Sequence, residues 1–354
     1  MIPILEDNTK LVTKFGAKKI VDMTIDVPSC YTFEKGLFYS HREFDTFLKK
    51  LYDNVPSAIV SGVNASGSLH LGHKPVFDTC LYFQKEYGVT VYVPISDDES
   101  YITKKVDTQE EALQNAYGLA KQLIAYGFDP KNTVFLLDQV YTNIYNYAIK
   151  LSRKVTVSEI LAVYGYTHSD NPGMYFYPCI QSAHIVYPQL HDNIQNTLVI
   201  IGPDEDSHIR VGRDLASRFG LQKPSVIHSV FLPGMDGKKM SKSKNNALFF
   251  QDDEKTIQKK IRKSLSGGRE TVEEHRQLGG DPTIDTAYLY LHSFFLEKSE
   301  SQKLAAAYKA GEILSGELKE LAILHVQQSI SAFQEALAQT DEKLVDSCIR
   351  KNTK

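Results

Sequence analysis

Two short segments carry residues whose types and spacing suit the binding of a triphosphate. The first is His70-Leu71-Gly72-His73, and the second, about 170 residues further on, is Lys239-Met240-Ser241-Lys242-Ser243. Imidazoles spaced i, i+3 face the same way at the start of a helix, beside its free backbone N–H groups and its positive dipole end. Gly72 has no Cβ, so a flat ring such as adenine can lie against the backbone there.

The lysine segment lies in a loop that begins with Pro233-Gly234 and Asp236-Gly237. Such a loop can close, bringing its lysines onto phosphates as charge develops in a transition state. Together the two segments predict ATP as the cofactor, with Mg²⁺ carried by its phosphates and no metal held by the protein. The predicted catalytic residues are His70, His73, Lys239 and Lys242, and the predicted ATP-binding residues are Gly62, Ser66, Gly72, Met240, Ser241 and Ser243.

The bulk composition is that of an ordinary globular protein. The chain has 354 residues, a net charge of −3 and 42% hydrophobic residues, which suits two domains or one large one. Four scattered cysteines without a CxxC pair indicate a reducing compartment. The sequence lacks the layout of a signal peptide and any apolar run long enough to span a membrane, so we expect a cytoplasmic location and no membrane partner.

The elements that must position these residues follow a strand–helix alternation from Ala58 onward. β-rich runs are predicted at 58–62, 89–95, 134–137, 198–202 and 226–230. Helices are predicted from His70 to about Tyr87, ended by Gly88, and from the capping sequence at 107–110 to Tyr126, ended by Gly127. The predicted fold class is α/β, with a Rossmann-like parallel sheet whose ligands gather at the carboxyl ends of its strands.

Three regions depart from this alternation and set the predicted domain boundaries. Residues 1–45 form an N-terminal appendage, and 46–246 form the Rossmann catalytic domain. Within that domain, about 140–195 is an insertion with helices at 141–153 and 157–164. Residues 247–354 form an α-helical domain.

Several further segments carry a resemblance to a known family. The paired signatures resemble those called HIGH and KMSKS in class I aminoacyl-tRNA synthetases. From about residue 14 to beyond residue 320 the chain resembles tryptophanyl-tRNA synthetases of the archaeal and eukaryotic type, in the segments 36–42 (GLFYSHR), 96–99 (SDDE), 177–183 (YPCIQSA), 266–269 (SGGR) and 273–280 (EEHRQLGG).

The resemblance implies a homodimeric enzyme that joins L-tryptophan to ATP and transfers it to tRNA(Trp). It assigns the insertion to the dimer interface and the helical domain to anticodon binding. It also implies an amino-acid site that includes Glu99 and Gln181, with acids at Asp204 and Glu205 following the strand at 198–202. The family's Asp-Gln-Asp appears here as Asp204-Glu205-Asp206, three acids that require a nearby cation.

Two positions depart from the family in the part of the site that reads the indole ring. Where relatives carry a tyrosine before the first glycine of the loop and a glutamine at the end of the second strand, this chain carries Val60 and Pro94. Neither side chain can hydrogen-bond an indole N–H. Tryptophan must therefore be read differently, or the substrate has shifted.

A basic helix is predicted at 256–265, with Ile257, Ile261 and Leu265 on one face and lysines or arginine over much of the rest. A solvated surface is one interpretation. Beside the SGGR segment, it also suits a surface that follows phosphates and reads bases. The predicted tRNA-binding residues are Lys259, Lys263, Arg269, His275 and Arg276.

Three alternative functions remain open at this point. A tyrosyl-tRNA synthetase shares the fold and both signatures, but the SGGR…EEHRQLGG match disfavours it. A non-catalytic homologue that binds tRNA or a small ligand is disfavoured by the intact histidines and lysines. A small HxGH nucleotidyltransferase is disfavoured by the basic helical C-terminal region.

Overall fold

The computed structural model describes residues 6–238, 240 and 246–352. Its strands are β1 (Lys18–Lys19), β2 (Phe38–Arg42), β3 (Ser57–Val60), β4 (Val63–Asn64), β5 (Thr90–Ser96), β6 (Thr133–Leu137), β7 (Asn196–Ile201) and β8 (Ser225–Ser229). Its helices are α1 (Glu6–Thr13), α2 (Tyr31–Glu34), α3 (Phe44–Tyr52), α4 (Lys74–Tyr87), α5 (Asp97–Ile102), α6 (Gln109–Tyr126), α7 (Ile144–Ser152), α8 (Val157–Tyr164), α9 (Pro172–His191), α10 (Asp206–Arg218), α11 (Glu254–Arg262), α12 (Val272–Leu278), α13 (Thr286–Tyr290), α14 (Lys298–Lys309), α15 (Ser315–Gln339) and α16 (Glu342–Cys348).

These strands form one mixed sheet with a parallel centre. Its order is β1-β2-β8-β7-β3-β5, with β4 and β6 also paired to β5. The strands β6, β5, β3, β7 and β8 run parallel, and their order in the sheet is that of a Rossmann fold, which reverses direction between β3 and β7. The five predicted parallel strands and the α/β class are therefore confirmed.

Local sequence explains where the main helices begin and end. Thr108 caps α6 by accepting the amide N–H of Glu111, and the left-handed Gly127 ends it. Gly88, with φ of 62°, ends α4. Within the described part of the chain, helices also dominate after Asp253, as predicted, and none is long and apolar enough to cross a bilayer.

The N-terminal segment is part of the sheet and not an appendage on its surface. β2 pairs antiparallel with β8, and β1 pairs with β2. The predicted boundary at residue 45 therefore cuts through a continuous sheet. The C-terminal helices are also joined to it, because α11, α13 and α15 share one apolar core with the strands, and Arg350 donates its amide N–H to Phe135 of β6.

The two faces of the sheet carry different helices. One face, with Ile59, Val91 and Ile200, packs into the core shared with the C-terminal helices. The opposite face, with Val60 and Tyr92, packs under α7, α9 and α10. The predicted insertion contains three helices, and two of them, α7 and α9, lie on this face of the sheet.

Candidate active site

A cavity of about 300 Å³ opens where the strand order reverses. It lies at the carboxyl ends of β3, β7 and β8, the position at which Rossmann-type sheets hold ligands. We call it the switch-point cavity. Its lining is drawn from the loop after β3, the start of α4, the ends of β7 and β8, and the second signature: Ser61, Gly62, His70, Gly72, His73, Val76, Phe77, Ile200, Ile201, Gly202, Asp204, Glu205, Ser229, Val230, Phe231, Leu232 and Met240.

The two signature histidines meet in a single tight turn at the edge of this cavity. Leu71–His73 is one 3₁₀ turn, and α4 begins only at Lys74, four residues later than predicted. Nδ1 of His70 accepts the Gly72 N–H at 3.1 Å, and Nδ1 of His73 lies 3.1 Å from the His70 amide nitrogen. The ring centroids are 3.9 Å apart, so the two imidazoles face the same way as expected.

The backbone turn also selects a tautomer. Because Nδ1 of His70 accepts a backbone N–H, the neutral ring carries its proton on Nε2. Nε2–H is a donor suited to an anionic oxygen. The turn thus presents an imidazole donor at the amino end of a helix, where anions are favoured.

Gly72 is confined by the two signatures at once. A Cβ at this position would lie 2.9 Å from the His70 ring and 3.0 Å from Sδ of Met240. Both neighbours line the switch-point cavity, so the fold brings the second signature to the first through Met240. Lys239, Ser241, Lys242 and Ser243 lie outside the described residues, and their predicted roles stay predictions.

The two other predicted ATP-binding residues differ in position. Gly62 lines the cavity, and a Cβ there would lie 3.2 Å from the Pro94 carbonyl oxygen. Ser66 lies in the loop before His70, half-buried, and is not among the lining residues.

Glu99 lies at the end of β5, in the first turn of α5, and is already surrounded by polar side chains. Its carboxylate accepts from Asn64 Nδ2 at 2.5 Å and from the Tyr177 hydroxyl at 3.1 Å. Lys105 forms an ion pair with it at 3.0 Å. Asn64, which is 35 residues before Glu99 in the chain, and Lys105, which is six residues after it, were not predicted as partners of Glu99.

Gln181 and Glu205 meet, as an amino-acid site requires. Gln181 Nε2 lies 3.5 Å from a Glu205 oxygen, and Gln181 Oε1 accepts the Tyr164 hydroxyl at 2.8 Å. His208 Nδ1 lies 3.1 Å from the same Glu205 oxygen, and its ring stacks on Tyr164 at 4.1 Å. Burial opposes the charge of Glu205, yet the hydrogen bonds from His208 and Gln181 outweigh it and lower the pKa of Glu205.

The third acid of the Asp204–Asp206 run has a structural role. Asp206 is buried, and both its oxygens bind the Arg42 guanidinium, at 2.7 and 2.8 Å. His228 Nε2 lies 3.0 Å from it. Burial opposes its ionisation, but the hydrogen bonds from His228 and Arg42 hold the pKa of Asp206 well below its usual range.

This arrangement supplies the cation that three adjacent acids require. Arg42 comes from β2, in the SHR part of the GLFYSHR segment, so the sequence contained a signal for the pair but not its geometry. Because Asp206 is fixed to β2 and β8, the turn that carries Asp204 and Glu205 is held at the edge of the sheet.

Val60 and Pro94 lie on the sheet face covered by α9. Val60 is 3% exposed and packs in the core that includes Tyr92, Tyr177 and Ile180. Pro94 is buried in β5, in register with Leu136 of β6. Neither lines the switch-point cavity. Val60 shares its core with Tyr177, and neither Val60 nor Pro94 brings a polar side chain to this face of the sheet.

The basic helix is α11, and its lysines are not equivalent. Ile257 and Ile261 are buried as predicted, whereas Leu265 lies beyond the helix and is 43% exposed. Lys259 and Lys263 are exposed. Lys260 is held by Asp252 at 2.7 Å and by the Ala247 carbonyl at 2.9 Å, so it serves the fold.

The SGGR…EEHRQLGG segment proves to be largely a packing motif. His275 is 3% exposed, and its Nε2 lies 2.9 Å from the Ile313 carbonyl oxygen. Arg276 donates to the carbonyls of Gly311 and Glu312 at 2.8 and 2.5 Å. The prediction that His275 reads bases is therefore wrong, because its ring is enclosed, and Arg276 is engaged by the turn after α14.

Arg269 makes a contact within the fold and also remains accessible to RNA. Its Nε donates to the Gly279 carbonyl at 2.9 Å, yet the residue is exposed. It borders a groove of about 750 Å³ between the start of α12 and the start of α15, with Val272 and Leu314 among the lining residues.

Comparison with known proteins shows similarity to one family over nearly the whole chain. A profile of the family described as tRNA synthetases class I (W and Y) matches residues 52–331. The chain is 35% identical to a tryptophan–tRNA ligase of Methanocaldococcus jannaschii over 352 residues, covering 96% of this chain and 94% of the relative. It is 35% identical to the cytoplasmic tryptophan–tRNA ligase of Saccharomyces cerevisiae over 360 residues, covering 96% and 83%.

The fold is shared with solved structures of the same kind. A tryptophanyl-tRNA synthetase from Encephalitozoon cuniculi, bound to tryptophan, superposes with a TM-score of 0.87 at 27% identity. The match covers 99% of each chain. The similarity therefore extends over both the sheet and the C-terminal helices.

Proposed function

The chain belongs to the class I tRNA synthetases specific for tryptophan or tyrosine, and we propose that within this family it acts as a tryptophan–tRNA ligase. The observation that carries the proposal is the switch-point cavity, where His70, Gly72, His73 and Met240 meet at the carboxyl edge of a Rossmann-ordered sheet. The reaction joins tryptophan to ATP and releases pyrophosphate, and it then passes the acyl group from the adenylate to a hydroxyl of the terminal ribose of tRNA(Trp), which releases AMP.

Phosphate chemistry is assigned to the two signatures. MgATP enters as the substrate, with Mg²⁺ on its phosphates. His70 and His73 stand at the amino end of α4 and stabilise the charge that builds on the α-phosphate and leaving pyrophosphate. Lys239 and Lys242 would close over the triphosphate from the loop that carries Met240. The amino-acid carboxylate attacks in line, so positioning supplies much of the acceleration.

The adenine ring is assigned to the glycine-lined part of the cavity. Both glycines line the cavity, and a Cβ would lie 3.2 Å from the Pro94 carbonyl oxygen at Gly62 and 2.9 Å from the His70 ring at Gly72. Met240 Sδ lies 3.0 Å from the same Cβ position at Gly72, and thioethers adapt well to flat aromatic surfaces. Ser66, Ser241 and Ser243 remain proposed phosphate or ribose contacts.

The ammonium of the amino acid is assigned to Glu99, Gln181 and Glu205, with Asp204 at the mouth of the cavity. In the described structure Glu99 is paired with Lys105, and Glu205 with His208. Both carboxylates therefore already hold a basic partner. An arriving ammonium competes with these partners, and the exchange costs less than stripping a carboxylate from water alone.

The indole ring is assigned to the wall that Val60, Pro94 and Tyr177 share beneath α9. Without a polar reader at 60 and 94, shape and the apolar surface carry much of the recognition. A buried indole N–H without a partner costs about 1–3 kcal/mol. Tryptophan is the proposed substrate, with weaker discrimination against tyrosine than a pocket that binds the indole N–H would give.

tRNA is assigned to α11 and to the groove beside Arg269. Lys259 and Lys263 project from an otherwise anchored helix, so their charges are available to phosphates. The groove between α12 and α15 has the size and apolar lining to take a base that has been splayed out of a loop.

A homodimer is proposed through the helices of the insertion. Ile149 of α7 and Val157 of α8 are 60% and 55% exposed, high values for large apolar side chains on neighbouring helices. Light scattering of the wild type and of an Ile149→Glu/Val157→Glu variant tests this. A dimer that persists unchanged in the variant excludes these helices as the interface.

Amino-acid-dependent exchange of pyrophosphate into ATP, run with all twenty amino acids, tests the central proposal. Tryptophan should give the highest kcat/KM. Faster exchange with tyrosine would assign the chain to the tyrosyl branch of the family. Absence of exchange with every amino acid, by a folded protein that still binds tRNA, would support the non-catalytic alternative.

A further inference from the structure

Three aspartates and one histidine are buried together behind the proposed ammonium site. Asp97 and Asp98 begin α5, Asp138 follows β6, and His184 lies one helical turn after Gln181 on α9. All four are at most 9% exposed. Three carboxylates so close cannot all be ionised without compensation, because burial penalises each charge.

Asp97 has the contacts of an ionised carboxylate. Its two oxygens accept the backbone N–H groups of Asp138 and Gln139, at 2.7 and 3.2 Å. Hydrogen bonds of this kind stabilise the charged form. Asp97 therefore fixes the end of β6 against the start of α5.

The other two aspartates each have one oxygen satisfied. Oδ1 of Asp98 accepts the Glu99 amide N–H at 2.6 Å. Oδ1 of Asp138 lies 2.7 Å from His184 Nε2. Since burial lowers the pKa of His184 to about 4, the ring is neutral at physiological pH and donates Nε2–H without bringing a positive charge.

Within the described part of the chain, one oxygen of each of these two carboxyl groups has no donor. Among the described residues, Oδ2 of Asp98 and Oδ2 of Asp138 are both buried and have no donor, and the two side chains are within hydrogen-bonding reach of one another. Two carboxylates can hydrogen-bond only if one of them carries a proton. Burial raises the pKa of both Asp98 and Asp138, and each is raised further by neighbouring acids.

Among the described residues, no cationic side chain is found next to the pair. Asp97 and Glu99 face it from α5, Tyr145 from α7, and Tyr177 and His184 from α9. Lys105 forms its ion pair with Glu99, at 3.0 Å, and not with either aspartate of the pair. Acids and neutral rings thus surround the two oxygens, which favours retention of a proton.

We propose that one proton shared between Asp98 and Asp138 holds together the two walls of the amino-acid pocket, α5 with Glu99 and α9 with Tyr177 and Gln181. The proposal rests on the proposed function, since Glu99 is taken as the ammonium ligand. Asp98 and Asp138 are positioning residues, because they act through the Glu99 backbone and through His184 and do not touch substrate.

The physical consequence is a pocket whose geometry depends on that proton. With the proton in place, an unbroken series of hydrogen bonds runs from the Glu99 amide through Asp98 and Asp138 to His184. When the proton leaves, two buried carboxylates repel each other, and the start of α5 must shift. The KM for the amino acid should then rise, while the KM for ATP changes little because the switch-point cavity is formed by other strands.

Asparagine substitutions test this, because the amide has the shape of a neutral carboxyl. In Asp98→Asn, Nδ2 donates to the Asp138 carboxylate and Oδ1 still accepts the Glu99 N–H. In Asp138→Asn, Oδ1 accepts from His184 and Nδ2 donates to the Asp98 carboxylate. Each single variant keeps every bond without needing a proton. The double variant places two NH₂ groups face to face, so one buried donor loses its partner.

The measurements are the amino-acid KM in pyrophosphate exchange as a function of pH, and the infrared band of a neutral carboxyl C=O. In the wild type, KM should rise as the pH is increased through the alkaline range. Each single variant should keep a KM near the neutral wild-type value with that rise removed, and should lack the carboxyl band. The double variant should raise KM roughly tenfold or more, with the KM for ATP within a factor of about two.

Other outcomes would overturn the proposal or separate it from the proposed function. A wild-type pH profile shared by both single variants, or a neutral-carboxyl band that survives in both, excludes the shared proton. A double variant as active as the singles excludes its positioning role, and if that variant does not fold, the single variants still decide through the band and the pH profile. If the wild type activates no amino acid, the proposed function fails, while the infrared test of the proton remains valid.

Discussion

The two signature segments at the switch-point cavity resemble the SGGR…EEHRQLGG segment in composition, since both combine glycines with histidine and basic residues. Their side chains make different kinds of contact. At the cavity, His70 and His73 each use Nδ1 to accept a backbone N–H of their own turn, and both rings line the cavity. In the second region, His275 and Arg276 are engaged by carbonyls of the segment after α14. The same residue types can therefore either line a ligand cavity or bind backbone carbonyls inside the fold.

The glycines of the two regions are alike in letting other parts of the chain approach the backbone. At Gly72 a Cβ would lie 2.9 Å from the His70 ring and 3.0 Å from Met240 Sδ, at the lining of the switch-point cavity. At Gly267 and Gly279 a Cβ would collide with the backbone of Asp281 and of Lys309. Glycines in a motif with basic residues thus indicate close approach within the chain, and only the fold shows whether that approach occurs beside a ligand cavity or away from one.

The largest effect that separates the two regions is expected from the lysine loop. Lys242→Ala should slow tryptophan-dependent pyrophosphate exchange by roughly 10²–10³-fold, because it removes a charge aimed at the transition state, with a smaller change in tryptophan binding. The control is Lys255→Ala, which changes an exposed lysine in the first turn of α11. Normal turnover in Lys242→Ala would remove the loop from the mechanism.

The next effect is expected from two histidine variants, one of which should mainly lower the stability and the other mainly lower the activity. His275→Ala should lower the free energy of unfolding by about 2–4 kcal/mol, because it opens a cavity beside Tyr308 and leaves the Ile313 carbonyl without its donor. Exchange per folded molecule should be preserved. His73→Ala should do the reverse, slowing exchange while costing roughly 1 kcal/mol of stability.

Urea unfolding measures the stability of both histidine variants, and pyrophosphate exchange measures their activity. Equal loss of activity in the two variants, at equal stability, would show that His275 has a functional role that its burial argues against.

A smaller effect is expected on tRNA binding, for which exposed lysines of the basic helix can be compared with a lysine that is held by an ion pair. The triple change Lys259→Ala/Lys263→Ala/Arg269→Ala should weaken tRNA binding and reduce the slope of log affinity against log salt by roughly 2–3. Adenylate formation should survive. Lys260→Ala is the matched control, since its ammonium is held by Asp252 and Ala247. An unchanged salt slope in the triple variant would make α11 a solvated surface.

The smallest effect concerns the wall with Val60 and Pro94. Tryptophan should remain preferred over tyrosine and phenylalanine, but by a margin reduced by about 1–3 kcal/mol, the cost of a buried indole N–H without a partner. Because the chain contains no tryptophan, indole fluorescence reports the bound ligand directly, and exchange kinetics give the ratio of specificities. A tyrosine kcat/KM above that for tryptophan would reverse the assignment.

The parallel sheet was predictable because its signals are local. Short β-rich runs, capping residues and glycine stops lie within a few residues of the elements they define, so α6, α8 and the five central strands appear close to their predicted bounds. The start of α4 was missed by four residues, because the reciprocal bonds between His70 and His73 favour a 3₁₀ turn there. β2 was missed because an antiparallel strand whose long partner, β8, is nearly 190 residues away leaves no local pattern.

The amino-acid sequence by itself determined which chemical groups the site contains: two histidines one turn apart, a glycine between them, and acids at the ends of strands. Spacing along the chain is enough for this, because helices and parallel strands place such residues on one face or one edge. Only the tertiary structure decided which of the charged residues are available. Asp206 is neutralised by Arg42 and His275 is bound by Ile313, because partners that arrive from distant segments compete with ligands for the same side chains, and burial makes each such pairing obligatory.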